Sequence, residues 1–259
     1  MVSVSNDHHQ HSTSCDFLPE APSYQNFLYR YLVPNKPLII GPSLTSDWNA
    51  RNLWTKPSAS GGLDEPEINW DALSDMYGSQ MVTVADCSTR DFSDQKRDAK
   101  PFRDVVDLWK KGEGTSLYVK DWHLARSLQY EAQPNAIKSS RRDVEAEFYT
   151  TPDIFKDDWM NAYYSAFTTD DFRFVYVGAQ GTFSPLHRDV YTSYSWSTNI
   201  CGRKRWWLFP PEQTPFLMNT TRHRENLFDV RSVDEAEFPN FTKAKPIIIE
   251  QKSGETIFV

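Results

Sequence analysis

The stretch Gly181-Thr-Phe-Ser-Pro-Leu-His187-Arg-Asp189 decides how the rest of this chain is read. In an extended backbone, residues two apart point the same way, so His187 and Asp189 present an imidazole and a carboxylate side by side. These are two of the three ligands in the facial triad that holds non-haem Fe(II). A second His from elsewhere in the fold completes that triad and leaves three coordination positions open. An isolated His-x-Asp equally describes a hydrogen-bonded surface pair, so its neighbours have to settle the matter.

Working outward, Tyr191 to Cys201 reads as a strand with Ser195, Ser197 and Asn199 on one face and Tyr194, Trp196, Thr198 and Ile200 on the other. The small polar face suits a cavity wall, and the aromatic face suits a core. Gly202-Arg203 can turn a hairpin into a further strand, Lys204 to Phe209. Lys204, fifteen residues after Asp189, offers one compact charge to a ligand carboxylate. Standing between Arg203 and Arg205, it reads on residue type alone as a solvated lysine.

Further strands are expected over Phe172 to Gly178, Ile247 to Glu250 and Glu255 to Val259. Runs this short, punctuated by Gly and Pro, indicate antiparallel sheets packed face to face or closed as a barrel. The N-terminal part is mixed. Phe27, Leu28, Tyr31 and Leu32 have helical spacing that Pro34 and Pro37 end, and Leu38-Ile39-Ile40 forms a buried strand closed by Gly41-Pro42. Asn69 caps a helix to Tyr77 with Gly78 as its stop, and Met81 to Ala85 is a strand. Arg90 to Lys100 reads as a charged surface loop, Pro101 opens a helix that Gly112 ends, and Leu117-Tyr118-Val119 is another strand. Gln129 to Glu147 reads as a mobile insertion, and residues 1–20 as a solvated tail in which His8, His9 and His11 belong to a flexible leader.

The whole is 259 residues with 39% hydrophobic and 14% aromatic content, enough for a sizeable core and unlike a disordered, collagenous or coiled-coil chain. A net charge of −7 argues against a protein whose main task is neutralising nucleic acid or coating an anionic membrane. There is no apolar run of membrane length and no apolar signal core. The three cysteines, Cys15, Cys87 and Cys201, form neither a disulfide framework nor a zinc pattern. An intracellular location, cytoplasmic or nuclear, is expected.

The combination of Gly-Thr-Phe-Ser-Pro-Leu-His-Arg-Asp with Ser-Tyr-Ser-Trp-Ser-Thr-Asn-Ile-Cys-Gly-Arg-Lys-Arg-Trp-Trp-Leu-Phe-Pro-Pro resembles the jumonji-C family of iron and 2-oxoglutarate oxygenases. Asn35-Lys-Pro-Leu-Ile-Ile with Trp48 and Trp54 is similar to the entry strand of its small hydroxylases, so the resemblance covers roughly residues 24–259. It implies a double-stranded β-helix, the cupin-like jelly roll, over 171–259, behind an α/β elaboration over 21–170. By the same resemblance, His187 and Asp189 are iron ligands and Lys204 binds the distal carboxylate of 2-oxoglutarate. Ser184 matches a position where relatives place a Thr on that carboxylate. Tyr118 matches a cosubstrate-binding aromatic, and Ser197 falls where some relatives have an Asn near the cosubstrate. The implied reaction consumes 2-oxoglutarate and O2, releases succinate and hydroxylates a protein substrate, with no direct role for nucleic acid or membrane. In the lysyl hydroxylase branch the implied substrate is a lysine of eukaryotic release factor one. Histone demethylation is the alternative within the family, without zinc-binding Cys clusters to support it.

The family's second His follows a segment resembling Gly254-Glu-Thr-Ile-Phe-Val259. The expectation is therefore a fragment of an active oxygenase, carrying two iron ligands and lacking its last strands. His223 and Glu225 also share a face if extended, and read as a surface pair. The competing classes are a non-catalytic jelly-roll binding module and a metal-free carbohydrate-type jelly roll.

Overall fold

The computed structural model describes residues 15–58, 65–132, 148–168, 170–219 and 225–259. The His-rich leader, His223 and residues 133–147 of the expected insertion lie outside the described residues. Strands run β1 (Asp16–Leu18), β2 (Leu38–Ile40), β3 (Thr55–Lys56), β4 (Glu67–Ile68), β5 (Met81–Asp91), β6 (Asp94–Pro101), β7 (Leu117–Trp122), β8 (Val175–Gly178), β9 (Trp196–Thr198), β10 (Lys204–Leu208), β11 (Ile247–Gln251) and β12 (Thr256–Phe258). Helices are α1 (Tyr24–Phe27), α2 (Asn49–Leu53), α3 (Trp70–Tyr77), α4 (Phe102–Lys111), α5 (Leu124–Ala132) and α6 (Trp159–Phe167).

Two four-stranded sheets dominate, ordered β6-β5-β7-β8 and β1-β2-β12-β9, with β10-β11 as a separate antiparallel pair. All pairings are antiparallel except β1 with β2. The alternation of side chains along β2 and β12 explains why both are buried on both faces. Leu38, Ile40 and Phe258 pack with Phe27, Tyr31, Ile154 and Phe155, while Ile39 and Ile257 turn the other way onto Ile247 and Ile249 of β11. Trp206 and Leu208 of β10 join the second cluster, so the β10-β11 pair covers the back of the sheet as the second layer of a sandwich. A third cluster holds Val82, Val84 and Val119 of the other large sheet against Leu73, Phe102, Val105 and Val106 from the helices.

Local chemistry sets the helices much as the sequence indicates. The Asn69 side chain accepts from the Ala72 amide at 3.2 Å to start α3, and Gly112 ends α4 at φ +73° behind Lys110 and Lys111.

Several expectations need correction. Asp16–Leu18 is a strand rather than tail, because its backbone finds a partner in β2. Arg90 to Lys100 is a hairpin, with β5 and β6 turning at Phe92 and Ser93. Its charges belong to an edge strand, where they stay solvated and discourage further pairing. Tyr191 to Cys201 is strand only at Trp196–Thr198, with a 3-10 turn at Val190–Thr192 before it. Gly202, at φ +69°, does not turn a β9-β10 hairpin. β9 pairs with β12 and β10 with β11, so the turn carries the chain from one layer to the other.

β12 joins β2 to β9 and supplies both clusters, so truncating it should unfold the sandwich before the helical part. Phe258→Ala is expected to cost about 3–5 kcal/mol, and chemical denaturation measures the loss. A cost under about 1 kcal/mol would show that the site collapses without a cavity.

Candidate active site

Residues 182–189 form no regular strand, yet the two donors meet as the His-x-Asp spacing requires: His187 Nε2 lies 3.4 Å from Asp189 Oδ1. The His187 Nδ1–H donates to the Pro185 carbonyl at 2.7 Å, which fixes the ring and leaves Nε2 facing the carboxylate. Ser195 donates its hydroxyl to Asp189. The hydrogen bond to Asp189 holds the His187 imidazole above its usual range, against the opposing effect of burial. The bond from His187 correspondingly holds the Asp189 carboxyl low. Such a pair retains a proton between nitrogen and oxygen or accepts a divalent cation in its place, and the N/O donor set suits Fe(II). Among the described residues, no third His, Cys, Asp or Glu joins this pair to make a three-ligand cluster.

The other residues singled out in the sequence border the same broad cavity. Tyr118, on β7, is 9% exposed and shares a hydrogen bond with Ser184. Burial drives the Tyr118 phenol far above its normal range, so it stays a neutral hydrogen-bonding group. Gly178, opposite Tyr118 in the ladder, is required there: a Cβ would stand 2.6 Å from Tyr118 Cδ2. Lys204 is half-buried rather than solvated, with Nζ 5.7 Å from the centre of the Tyr176 ring and 4.9 Å from that of Trp206. Burial lowers the Lys204 ammonium to about 8. Ser197 borders the cavity, but its backbone carbonyl is taken by Gln251 Nε2 at 2.8 Å. Asn199, expected beside it on the polar face, instead turns inward and donates to the Gly202 carbonyl at 2.7 Å, closing the turn between the layers.

Ser195 lies on the polar face expected to line the cavity, whereas Tyr176 and Lys120 were not legible as site residues. Tyr176 donates to Asp121 Oδ1 at 2.8 Å while supporting Lys204. Its alternation with Phe174 along an aromatic strand was the one available signal. A separate cluster, His123 with Asp170 and Asp171, is satisfied from within: His123 Nδ1 lies 2.6 Å from Asp171, and Arg126 and Arg173 pair with the two carboxylates.

A sandwich of short antiparallel strands with an imidazole, a carboxylate and a half-buried lysine around one cavity defines a cupin-type jelly roll. The model of the cupin-like domain matches residues 24–259, and the chain belongs to that family. Among curated proteins it is 35% identical over 257 residues to the 2-oxoglutarate and iron-dependent oxygenase JMJD4 of Gallus gallus, covering 94% of this chain and 55% of the relative. The human protein of that name is 35% identical, with 93% and 55% covered. Arginine-specific demethylase JMJ20 of Arabidopsis thaliana is 36% identical, with 92% and 50% covered. The chain thus spans about half the length of these relatives.

The donor segment is held by Gln95, which is 2% exposed and donates Nε2–H to the Phe183 carbonyl at 2.9 Å. Its Oε1 is buried without a partner, so Gln95→Leu removes one orphaned acceptor together with one anchor. The variant is expected to keep its unfolding midpoint and bind Mn(II) roughly ten-fold more weakly, read by calorimetry. Unchanged Mn(II) affinity would show that the anchor does not reach the ligands.

Proposed function

We propose that this chain is the catalytic part of an Fe(II)- and 2-oxoglutarate-dependent protein hydroxylase acting on a lysine of a translation release factor. The observation that carries the oxygenase reading is the convergence of the His187 and Asp189 donors with Lys204 and the Tyr118–Ser184 pair on one cavity. His187 Nε2 and Asp189 would hold the iron, and Lys204 would take the distal carboxylate of 2-oxoglutarate together with the Tyr118 and Ser184 hydroxyls. When bound, iron with 2-oxoglutarate and O2 supplies oxidation of an unactivated C–H bond, the cosubstrate leaving as succinate and CO2.

The chain's own residues orient and insulate that chemistry. Pro185 and Ser195 fix the two donors, and the Tyr176 and Trp206 rings flank the Lys204 ammonium. β12 runs antiparallel to β9, and Val259 exchanges both backbone hydrogen bonds with Ser195 at 2.9 Å.

The release factor reading rests on the sequence resemblance to the lysyl hydroxylase branch of the family, and the likeness to an arginine-specific demethylase supports a second one. Incubating the full-length protein that contains this chain with Fe(II), 2-oxoglutarate and either a release factor fragment or a methylarginine peptide separates them. Hydroxylation adds one oxygen to the lysine, whereas demethylation releases formaldehyde. Succinate formation that His187→Ala leaves unchanged would defeat the oxygenase reading and favour a binding module.

Lys204 also sets a pH limit. Its depressed value means that the charged form predominates below about pH 8 and is lost above it. Affinity for 2-oxoglutarate is therefore expected to fall as pH rises from about 7 to about 9, and to fall less in a Lys204→Arg variant. Equal pH profiles would remove Lys204 from the carboxylate site.

A further inference from the structure

A second lysine faces this cavity and has no assigned task. Lys120 lies two residues beyond Tyr118 on β7, on the same face of the sheet, and is 6% exposed. Its Nζ makes no hydrogen bond among the described residues, and the carboxylate that it approaches, Asp94 Oδ1, is 3.7 Å away. That carboxylate is already committed. Asp94 Oδ2 takes Arg97 Nη2 at 2.7 Å and Oδ1 takes the Gln95 amide at 2.9 Å. Asp121, the next acid along, is shared by Arg97 and Tyr176. Burial lowers the Lys120 ammonium, and its field reaches His187, where it opposes protonation.

Burying an ammonium on a long ion pair alone is unfavourable, so a better acceptor has to arrive from outside the chain. Lys204 poses the same question across the cavity, since what contacts its charge is two aromatic faces. The contacts run continuously from one lysine to the other: Lys204 on Tyr176, Tyr176 beside Tyr118 at 6.1 Å between ring centres, and Lys120 two residues further on. Two cations lining one cavity match a ligand with two negative ends. Of the two, Lys120 is the one whose charge acts on the His187 imidazole.

We propose that Lys120 is a second cosubstrate-binding residue, donating to the keto-acid end of 2-oxoglutarate while Lys204 holds the distal carboxylate. The inference rests on the oxygenase reading above and assigns the polarity of the dicarboxylate in the pocket. Lys120 would thereby orient the keto acid relative to the His187 and Asp189 donors.

The test compares two ligands on the full-length protein loaded with Mn(II), by calorimetry: 2-oxoglutarate, and 2-oxopentanoate, which lacks the distal carboxylate. In the wild type 2-oxoglutarate should bind more tightly, through Lys204. Lys120→Met is expected to weaken both ligands by about ten-fold or more and to preserve the ratio between them, as loss of a charged hydrogen bond common to both requires. Lys204→Met should collapse the ratio instead. Lys120→Gln carries the same comparison should the Met variant not fold, and Lys120→Arg should recover most of the affinity. Binding of 2-oxoglutarate by Lys120→Met within about two-fold of wild type would overturn the proposal, as would loss of the ratio. If the wild type binds 2-oxopentanoate and 2-oxoglutarate equally, the polarity fails while the oxygenase reading stands. If it binds neither, both fail.

Discussion

The site depends on how a segment without a backbone ladder is held still. Residues 181–189 carry His187 and Asp189, yet no strand partner fixes them, and the restraint comes from scattered neighbours. The Phe183 amide donates to Cys87 Sγ at 3.4 Å and its carbonyl accepts from Gln95. The Leu186 amide donates to the Phe228 carbonyl at 2.9 Å. Arg231, paired with Asp229, donates to the Gly181 carbonyl at 3.1 Å and lies 4.0 Å from the Phe183 ring centre. Each backbone polar group so satisfied removes a reason for the segment to move into water. The anchors come from β5, β6 and the 226–231 stretch, so the donor geometry reports on packing far along the chain.

The electrostatics of the cavity follow from the same arrangement. Acids and bases on its walls are mostly matched within the chain: Arg97 with Asp94 and Asp121, Arg231 with Asp229, Asp189 with His187 and Ser195. The two lysines stand apart, one against aromatic rings and one at a long ion-pair distance. Desolvation lowers the affinity of both for protons, and each gains from a bound anion more than a solvated lysine would. A protein with net charge −7 thus concentrates uncompensated positive character where a small dicarboxylate would sit.

Much of this was legible because short-range rules govern it. The His187-x-Asp189 spacing, the Asn69 cap, the Gly112 stop and the apolar run at Leu38-Ile39-Ile40 each depend on residues within a few positions. The misreadings have the opposite character. Whether Arg90 to Lys100 is loop or strand is decided by β5 lying alongside it, and Gly202-Arg203 could not reveal that its flanking strands pair with β12 and β11. Lys120 escaped notice for a related reason. A lysine between Val119 and Asp121 looks solvated until the fold buries it and commits the nearby carboxylates to Arg97 and Tyr176.

The two layers and the site are bound together by a few long-range polar contacts. Gln251, with no exposed surface, accepts from Trp206 Nε1 at 2.9 Å and donates to the carbonyls of Ser197 and Glu255 at 2.8 Å. It therefore ties β10, which carries Lys204, to β9, whose neighbour Ser195 steadies Asp189. Val259 pairs with that same Ser195 from the other side. Lys204 and Asp189 thus belong to different layers, and the tie between them is one buried amide rather than a shared strand. In such a design the hydrogen-bonding groups of Gln251 are satisfied only when the layers are in register, which makes formation of the pocket a consequence of closing the sandwich.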